Sequence, residues 1–357
     1  MIEYVVIIIL LMFLYPMMKK LKKGKFYYCV LAGGLIYILI ALKNPFLGNS
    51  DTLSIYYPAF KHVISNDMTF VFYRYLEESV IFYPVTKIIS MFTTNVVVYY
   101  AILEIPIIFA ISKLIYKYSK KPWLSFIIFF MLQYYTFCFI ALKHAVAIGF
   151  LVLALDALLE KKYKKFFVLT IIATLFHATA IVFLFAYFVQ KLKITRWKIV
   201  ITFILAMIII LLKDNIFSLI FSIFDSGRYS MYENRRETIN LLTFGINLTM
   251  FVFAYVFLRK VDSEENNKEI VLLNLLWTGT IVSILTVVLA EFLRISMYFS
   301  ISCVILIPNV LKQIEYKQRN LYTFVLIVIL LIYFFGSNLP NLNLLPYQFY
   351  WETNLLY

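Results

Sequence analysis

The sequence predicts an all-α fold: a polytopic transmembrane helical bundle of about ten to twelve spans, with possible re-entrant half-helices around residues 166–190. Three observations carry that expectation. Composition comes first: 63% of the 357 residues are hydrophobic and 19% aromatic, and the mean hydropathy of +0.87 is too high for a soluble domain. Second, apolar stretches recur that approach the ~20 residues needed to cross a bilayer. Third, short runs of lysine and arginine at 19–25, 113–121, 161–165, 191–198, 259–268 and 312–319 hold most of the 33 basic residues. Each run abuts an apolar stretch, and lysine-rich loops stay on the cytoplasmic side. Topology and anionic lipid headgroups therefore explain the net charge of +14, and no nucleic-acid partner is indicated.

Holding the basic runs inside assigns the passes in order. Residues 2–17 lack a basic leader and a small-residue cleavage site, so they are expected as a retained helix running inward. Residues 26–42 return outward. A long non-cytoplasmic segment, 43–94, follows; its apolar part at 76–92 is short and carries Lys87. The next crossings are 96–116 inward, 123–142 outward and 144–159 inward. Residues 197–212 run out to a polar outer loop at 225–237. The chain then crosses at 239–258, 270–290, 295–311 and 321–335, which leaves both termini outside. No repeat, linker or low-complexity tract divides it, so residues 1–357 are expected as a single integral membrane domain in a bacterial cytoplasmic membrane. Segment 166–190 breaks the pattern, because it is long enough for one crossing yet basic runs flank it on both sides. That favours a helix broken near His177; the alternative is one crossing that violates the charge bias, with a partial crossing at 216–224.

The basic residues left over are Lys43, Lys61, Arg74, Lys87, Lys143, Lys213, Arg228, Arg235, Arg236 and Arg294, and nearly all fall at predicted outer ends. Cations there run against the charge bias, and an anion such as a pyrophosphate would offset them; interfacial anchoring to headgroups is the plainer alternative. Asp51, Glu77, Glu78, His144, Glu233, Glu291 and His177 gather at the same face, where ionisable groups mark functional cavities. Asp51 is either the cap of a following helix or a site residue. His177 either satisfies a local hydrogen bond or takes part in chemistry. Glu104, inside a span, belongs to a polar track or pairs locally. Outer aromatics, Tyr56, Tyr57, Tyr73, Tyr75, Tyr229, Tyr232, Tyr347 and Trp351, are able to stack on sugar faces. Cys29, Cys138 and Cys303 lie in apolar stretches without metal-ligand spacing.

In order along the chain, these features resemble the EpsG family, polytopic proteins of bacterial exopolysaccharide and capsule loci related to Wzy-type polymerases. Gly48-Asn49-Ser50-Asp51-Thr52 with Tyr56 resembles its outer-loop signature, and Lys143-His144-Ala145-Val146-Ala147 the element that opens a span. Ala173 through Ala180, with Phe176-His177, is similar to its histidine element. Arg228-Tyr229 with Tyr232 resembles its tyrosine-containing outer loop, and Arg294-Ile295-Ser296-Met297-Tyr298-Phe299 its arginine element. Pro346-Tyr347 resembles the closing pair. Lys43 and Lys143 stand where the family usually has arginine, and a lysine lacks the bidentate fork.

The resemblance implies a metal-independent glycan polymerase without cofactor, joining undecaprenyl-pyrophosphate-linked repeat units at the outer face. It implies catalytic roles for Asp51, His177 and Glu291. Substrate and pyrophosphate binding would fall to Lys43, Tyr56, Lys143, His144, Arg228, Tyr232, Arg235, Arg294 and Tyr298. Membrane lipids and other polysaccharide-assembly proteins are the further partners expected. The rival classes are a flippase for lipid-linked glycans, which should show internal repeats, and a membrane O-acyltransferase, which should show a His/Asp or His/Glu pair near the cytoplasmic face.

Overall fold

A computed structural model describes residues 1–48, 51–193, 195–223, 241–258 and 267–352. The apolar stretches fold as helices, and among the described residues no strand forms beyond an isolated antiparallel bridge between Lys43 and Phe349. Six of these helices are long and apolar enough to cross a membrane. Three further pairs, Pro122–Met131 with Gln133–Ile140, Ile199–Leu211 with Lys213–Leu219, and Phe292–Ser300 with Cys303–Gln313, are bent by 47°, 73° and 41°. Counting each pair as one span raises the number to nine, and Ile2–Met18 and Ala178–Val189 are shorter apolar helices. The chain is a multi-pass membrane protein. Three of the expected crossings, 123–142, 197–212 and 295–311, fall on the bent pairs.

The helices gather into two compact units, residues 1–181 with 311–357, and residues 182–310. The first unit opens with α1 (Ile2–Met18) and α2 (Gly24–Ala41). Three short helices follow, α3 (Tyr57–Ser65), α4 (Met68–Tyr75) and α5 (Phe82–Ser90). Then come α6 (Val96–Tyr118), the bent pair α7 (Pro122–Met131) and α8 (Gln133–Ile140), α9 (Leu142–Leu159) and α10 (Tyr163–Phe176). A helix apolar all round belongs at the centre of a bundle, and α9 is 83% buried. Gly149 lets α9 touch α6 backbone to backbone: a Cβ there would stand 2.7 Å from the nitrogen of Ile107.

The ends of this unit differ in chemistry. At one end Lys25 donates to the carbonyl of Ser119 at 2.7 Å, and Lys117 pairs with Asp156 at 2.6 Å and with Glu160. The ammonium groups of Lys117 and Lys162 hold the Glu160 carboxyl below its ordinary range. The lysine runs 19–25, 113–121 and 161–165 thus share one end. The other end carries α3 to α5, the N-termini of α6 and α9 and the C-terminal segment. Asn44 and Tyr350 donate backbone bonds to Gln348 and Leu42, and the Tyr347 hydroxyl donates to Leu39 at 2.8 Å.

In the second unit, Leu241–Leu258, Asn267–Ile284 and Phe292–Ser300 pack in sequence. A Cβ on Gly279 would stand 2.7 Å from the nitrogen of Ser300, and Ser296 donates to the Gly279 carbonyl at 2.9 Å. Polar side chains find partners between the helices: Trp277 donates to Thr202 at 2.8 Å, and Asn274 to Leu192 at 2.7 Å.

Candidate functional site

The end of the first unit opposite its lysine loops gathers Lys143, Glu78, His144 and His177, with tyrosines between them. The chain leaves α8 through Ala141, whose non-helical backbone (φ −139°, ψ 73°) starts α9 at Leu142 and places Lys143 in the first turn. First-turn amides have no partner within their own helix, and Lys143 N–H donates instead to the Tyr56 hydroxyl at 3.3 Å. The Lys143 ammonium lies 5.0 Å from the Tyr83 ring centre and 5.8 Å from those of Tyr56 and Phe82. It donates to Tyr83 Oη at 3.3 Å, and Glu78 Oε2 is 3.9 Å away. Its charge adds to the positive end of α9, and aromatic faces with one carboxylate offset that crowding.

Tyr83 donates in turn to Glu78 Oε2 at 2.8 Å. Burial, and then this bond, push its phenol well above its usual range, so it stays a proton donor at any working pH. Tyr75 stacks on Tyr83 with centroids 4.1 Å apart, and its hydroxyl meets His62 Nδ1 at 3.0 Å. Tyr56 ends a π-helical turn, Thr52–Tyr56, that begins after Asp51. Asp51 is half-buried and its side chain makes no capping hydrogen bond to that turn.

Helix α10 ends at Phe176, and His177 is extended (φ −148°, ψ 110°). Its 14 residues span about 21 Å, too short for a ~30 Å hydrocarbon core. Carbonyls exposed by the break would be orphans in an apolar setting. Ser79 shares its proton between those of Leu175 and Phe176 at 3.0 and 2.9 Å, and Ile81 N–H donates to Leu175. These bonds tie the strip carrying Glu78 to the break at His177. The His177 ring meets His144, the neighbour of Lys143, edge to face at 5.5 Å.

Lys43 lies at the same end but is enclosed. Its ammonium, 5% exposed, donates to Glu104 Oε1 at 2.7 Å and to the Cys138 carbonyl at 2.6 Å. In the second unit, Arg294 and Tyr298 lie one turn apart on Phe292–Ser300; Arg294 N–H donates to the carbonyl of Glu291, and Tyr298 is buried. Glu291 Oε2 is buried without a hydrogen-bond partner among the described residues. Arg228, Tyr232 and Arg235, with the expected loop 225–237, lie outside the described residues. The first unit therefore brings together Tyr56, Lys143, His144 and His177, and adds Glu78 and Tyr83. Glu78 was visible only as one outer acid among several, and Tyr83 as one of 28 tyrosines.

A family profile described as EpsG family matches residues 26–349, nearly the whole chain. The chain belongs to the EpsG family. No curated protein and no solved structure matches it. EpsG is a Wzy-type polysaccharide polymerase family, and membership supports a polysaccharide polymerase-like role for this chain.

Proposed function

We propose that this EpsG-family protein polymerises undecaprenyl-pyrophosphate-linked oligosaccharide repeat units into exopolysaccharide or capsular polysaccharide at the outer face of the bacterial cytoplasmic membrane. The observation that carries the proposal is the Lys143 cluster, a cation ringed by Tyr56, Phe82 and Tyr83 with Glu78 beside it, at the end away from the lysine loops. With those loops inside, that end faces outward.

The reaction needs a held leaving group and a base. The acceptor hydroxyl oxygen attacks the anomeric carbon of the donor chain as its bond to pyrophosphate breaks. The bonding pair leaves with undecaprenyl pyrophosphate, and the hydroxyl proton passes to a base. Lys143 and the α9 N-terminus take the phosphate charge in the first unit, and Arg294, with Tyr298 one turn on, takes it in the second. Asp51 is the base, since an ordinary aspartate is ionised at neutral pH, with His177 and His144 orienting the sugar or phosphate. Glu291 is the reserve base. Arg228, Tyr232 and Arg235 extend the substrate contacts from the outer loop. Lys43 is left out of the phosphate ligands, because Glu104 and Cys138 already hold its ammonium.

The test is deletion in the host followed by analysis of lipid-linked glycans. Single repeat units accumulating on the external face are expected; accumulation on the cytoplasmic face would make the protein a flippase instead. Asp51→Asn should abolish polymer at normal protein abundance. Full-length polymer from that variant would move the base to Glu291 or His144.

A further inference from the structure

A cavity of about 200 Å³ opens at the same end of the first unit, lined by Tyr57, Phe60, Lys61, Asn95 and Tyr350 among others. Tyr57 directly follows Tyr56, so the last residue of the π-helical turn lies against Lys143 and the first of α3 lines this cavity. Phe60 stacks on Tyr99 at 4.2 Å, which makes the wall rigid and apolar. The Lys61 ammonium sits 4.4 Å from the Tyr57 ring centre. Asn95 spends its carbonyl oxygen on the amides of Val97 and Val98 at the start of α6, which fixes its Nδ2 in place. Tyr350 is pinned through its own N–H to Leu42. Among the described residues, Tyr57 Oη, Tyr350 Oη, Lys61 Nζ and Asn95 Nδ2 donate to no protein acceptor.

We propose that this cavity is a saccharide subsite, taking one sugar ring of the chain being built. At about 30 Å³ per water, its volume equals roughly seven waters, the size of a single ring rather than a repeat unit. A sugar offers C–H faces and hydroxyl edges together; the aromatic walls suit the faces, and the four donors suit the hydroxyls. The inference rests on the polymerase reading for the identity of the glycan, and its test does not depend on turnover.

The probe is lipid-free oligosaccharide released from the host's own polysaccharide by partial hydrolysis. It is titrated against the full-length protein in nanodiscs and followed by saturation-transfer NMR. Tyr57→Ala and Tyr350→Ala should each weaken binding about tenfold, and Lys61→Met less. Tyr57→Phe, which keeps the ring, should recover most of the loss and guards against a folding defect. Unchanged affinity in both alanine variants at normal abundance would overturn the subsite, as would binding of anionic phospholipid vesicles through Lys61 with none of the oligosaccharide. Loss of the polymerase reading would show separately, as cytoplasmic accumulation in the deletion strain.

Discussion

Lys43 and Lys143 stand at the same end of the first unit, each near a glutamate, and their surroundings give them opposite roles. Lys43 is sealed: its partner Glu104 is fully buried, and the remaining donors meet the Cys138 carbonyl and the Phe139 ring. Lys143 keeps 15% of its side chain exposed, and its carboxylate partner is 33% exposed and 3.9 Å away. A close, dry pair has no capacity for a ligand. A long pair at a rim can open toward one, because little desolvation is lost when a phosphate replaces the carboxylate. The lesson is that the partner's burial, more than the lysine's identity, separates a structural cation from a binding one.

The largest effect expected lies at the sealed pair. Glu104→Ala leaves a buried ammonium without its counter-ion and should cost about 3–5 kcal/mol, read as loss of the protein from the membrane. The double variant Lys43→Met with Glu104→Leu should restore abundance, since apolar side chains of similar size replace a buried pair at little cost. Normal abundance of Lys43→Ala with loss of polymer alone would break the contrast and return Lys43 to the phosphate ligands.

At the open pair the effect should fall on activity. Lys143→Met should keep normal abundance and lower polymer output about 100-fold, the scale of removing one preorganised electrostatic contact. Lys143→Arg should stay active, because a guanidinium also fits beside Glu78 and the aromatic rings. Tyr83→Phe removes the hydroxyl that bridges Lys143 and Glu78, and about a tenfold loss of activity is expected. An equal fall in abundance would make that hydroxyl structural.

The smallest effect sharpens the contrast with a third lysine. Lys121 has no carboxylate partner among the described residues; burial, with Arg319 and Lys312 beside it, pulls its ammonium from 10.5 down to about 8. The unfolded chain then binds more protons than the folded one between about pH 8 and 10.5, so this group favours folding increasingly as pH rises through that window. Half-exposure reduces the effect to about 1–2 °C in Tm, and Lys121→Gln should flatten it in a melting series.

Hydropathy and charge made the crossings legible because both are local. The break at His177 was legible for the same reason, since lysine runs on both sides of 166–190 cannot both stay inside around one straight helix. The 47° bend at Leu132 was not, because no proline or glycine marks it. Glu104 could be flagged as a charge out of place, but its partner lies 61 residues earlier, and only packing brings them together. Asp51 shows the limit most clearly: a turn-rich Asn-Ser-Asp-Thr stretch favours a capping role as much as a catalytic one.

The Ser79 clamp on Leu175 and Phe176 also orders the making of the protein. Carbonyls freed by a broken helix find no water at membrane depth, so such a break is viable only once its acceptors are met. Synthesis proceeds from the N-terminus. The hydroxyl that meets them is therefore made almost a hundred residues before the helix it serves, and it can be in position when α10 arrives. A circular permutation that delivered residues 43–94 last would reverse that order. The half-helix would then wait with bare carbonyls in lipid, exposed to quality control even though every contact of the finished fold is unchanged.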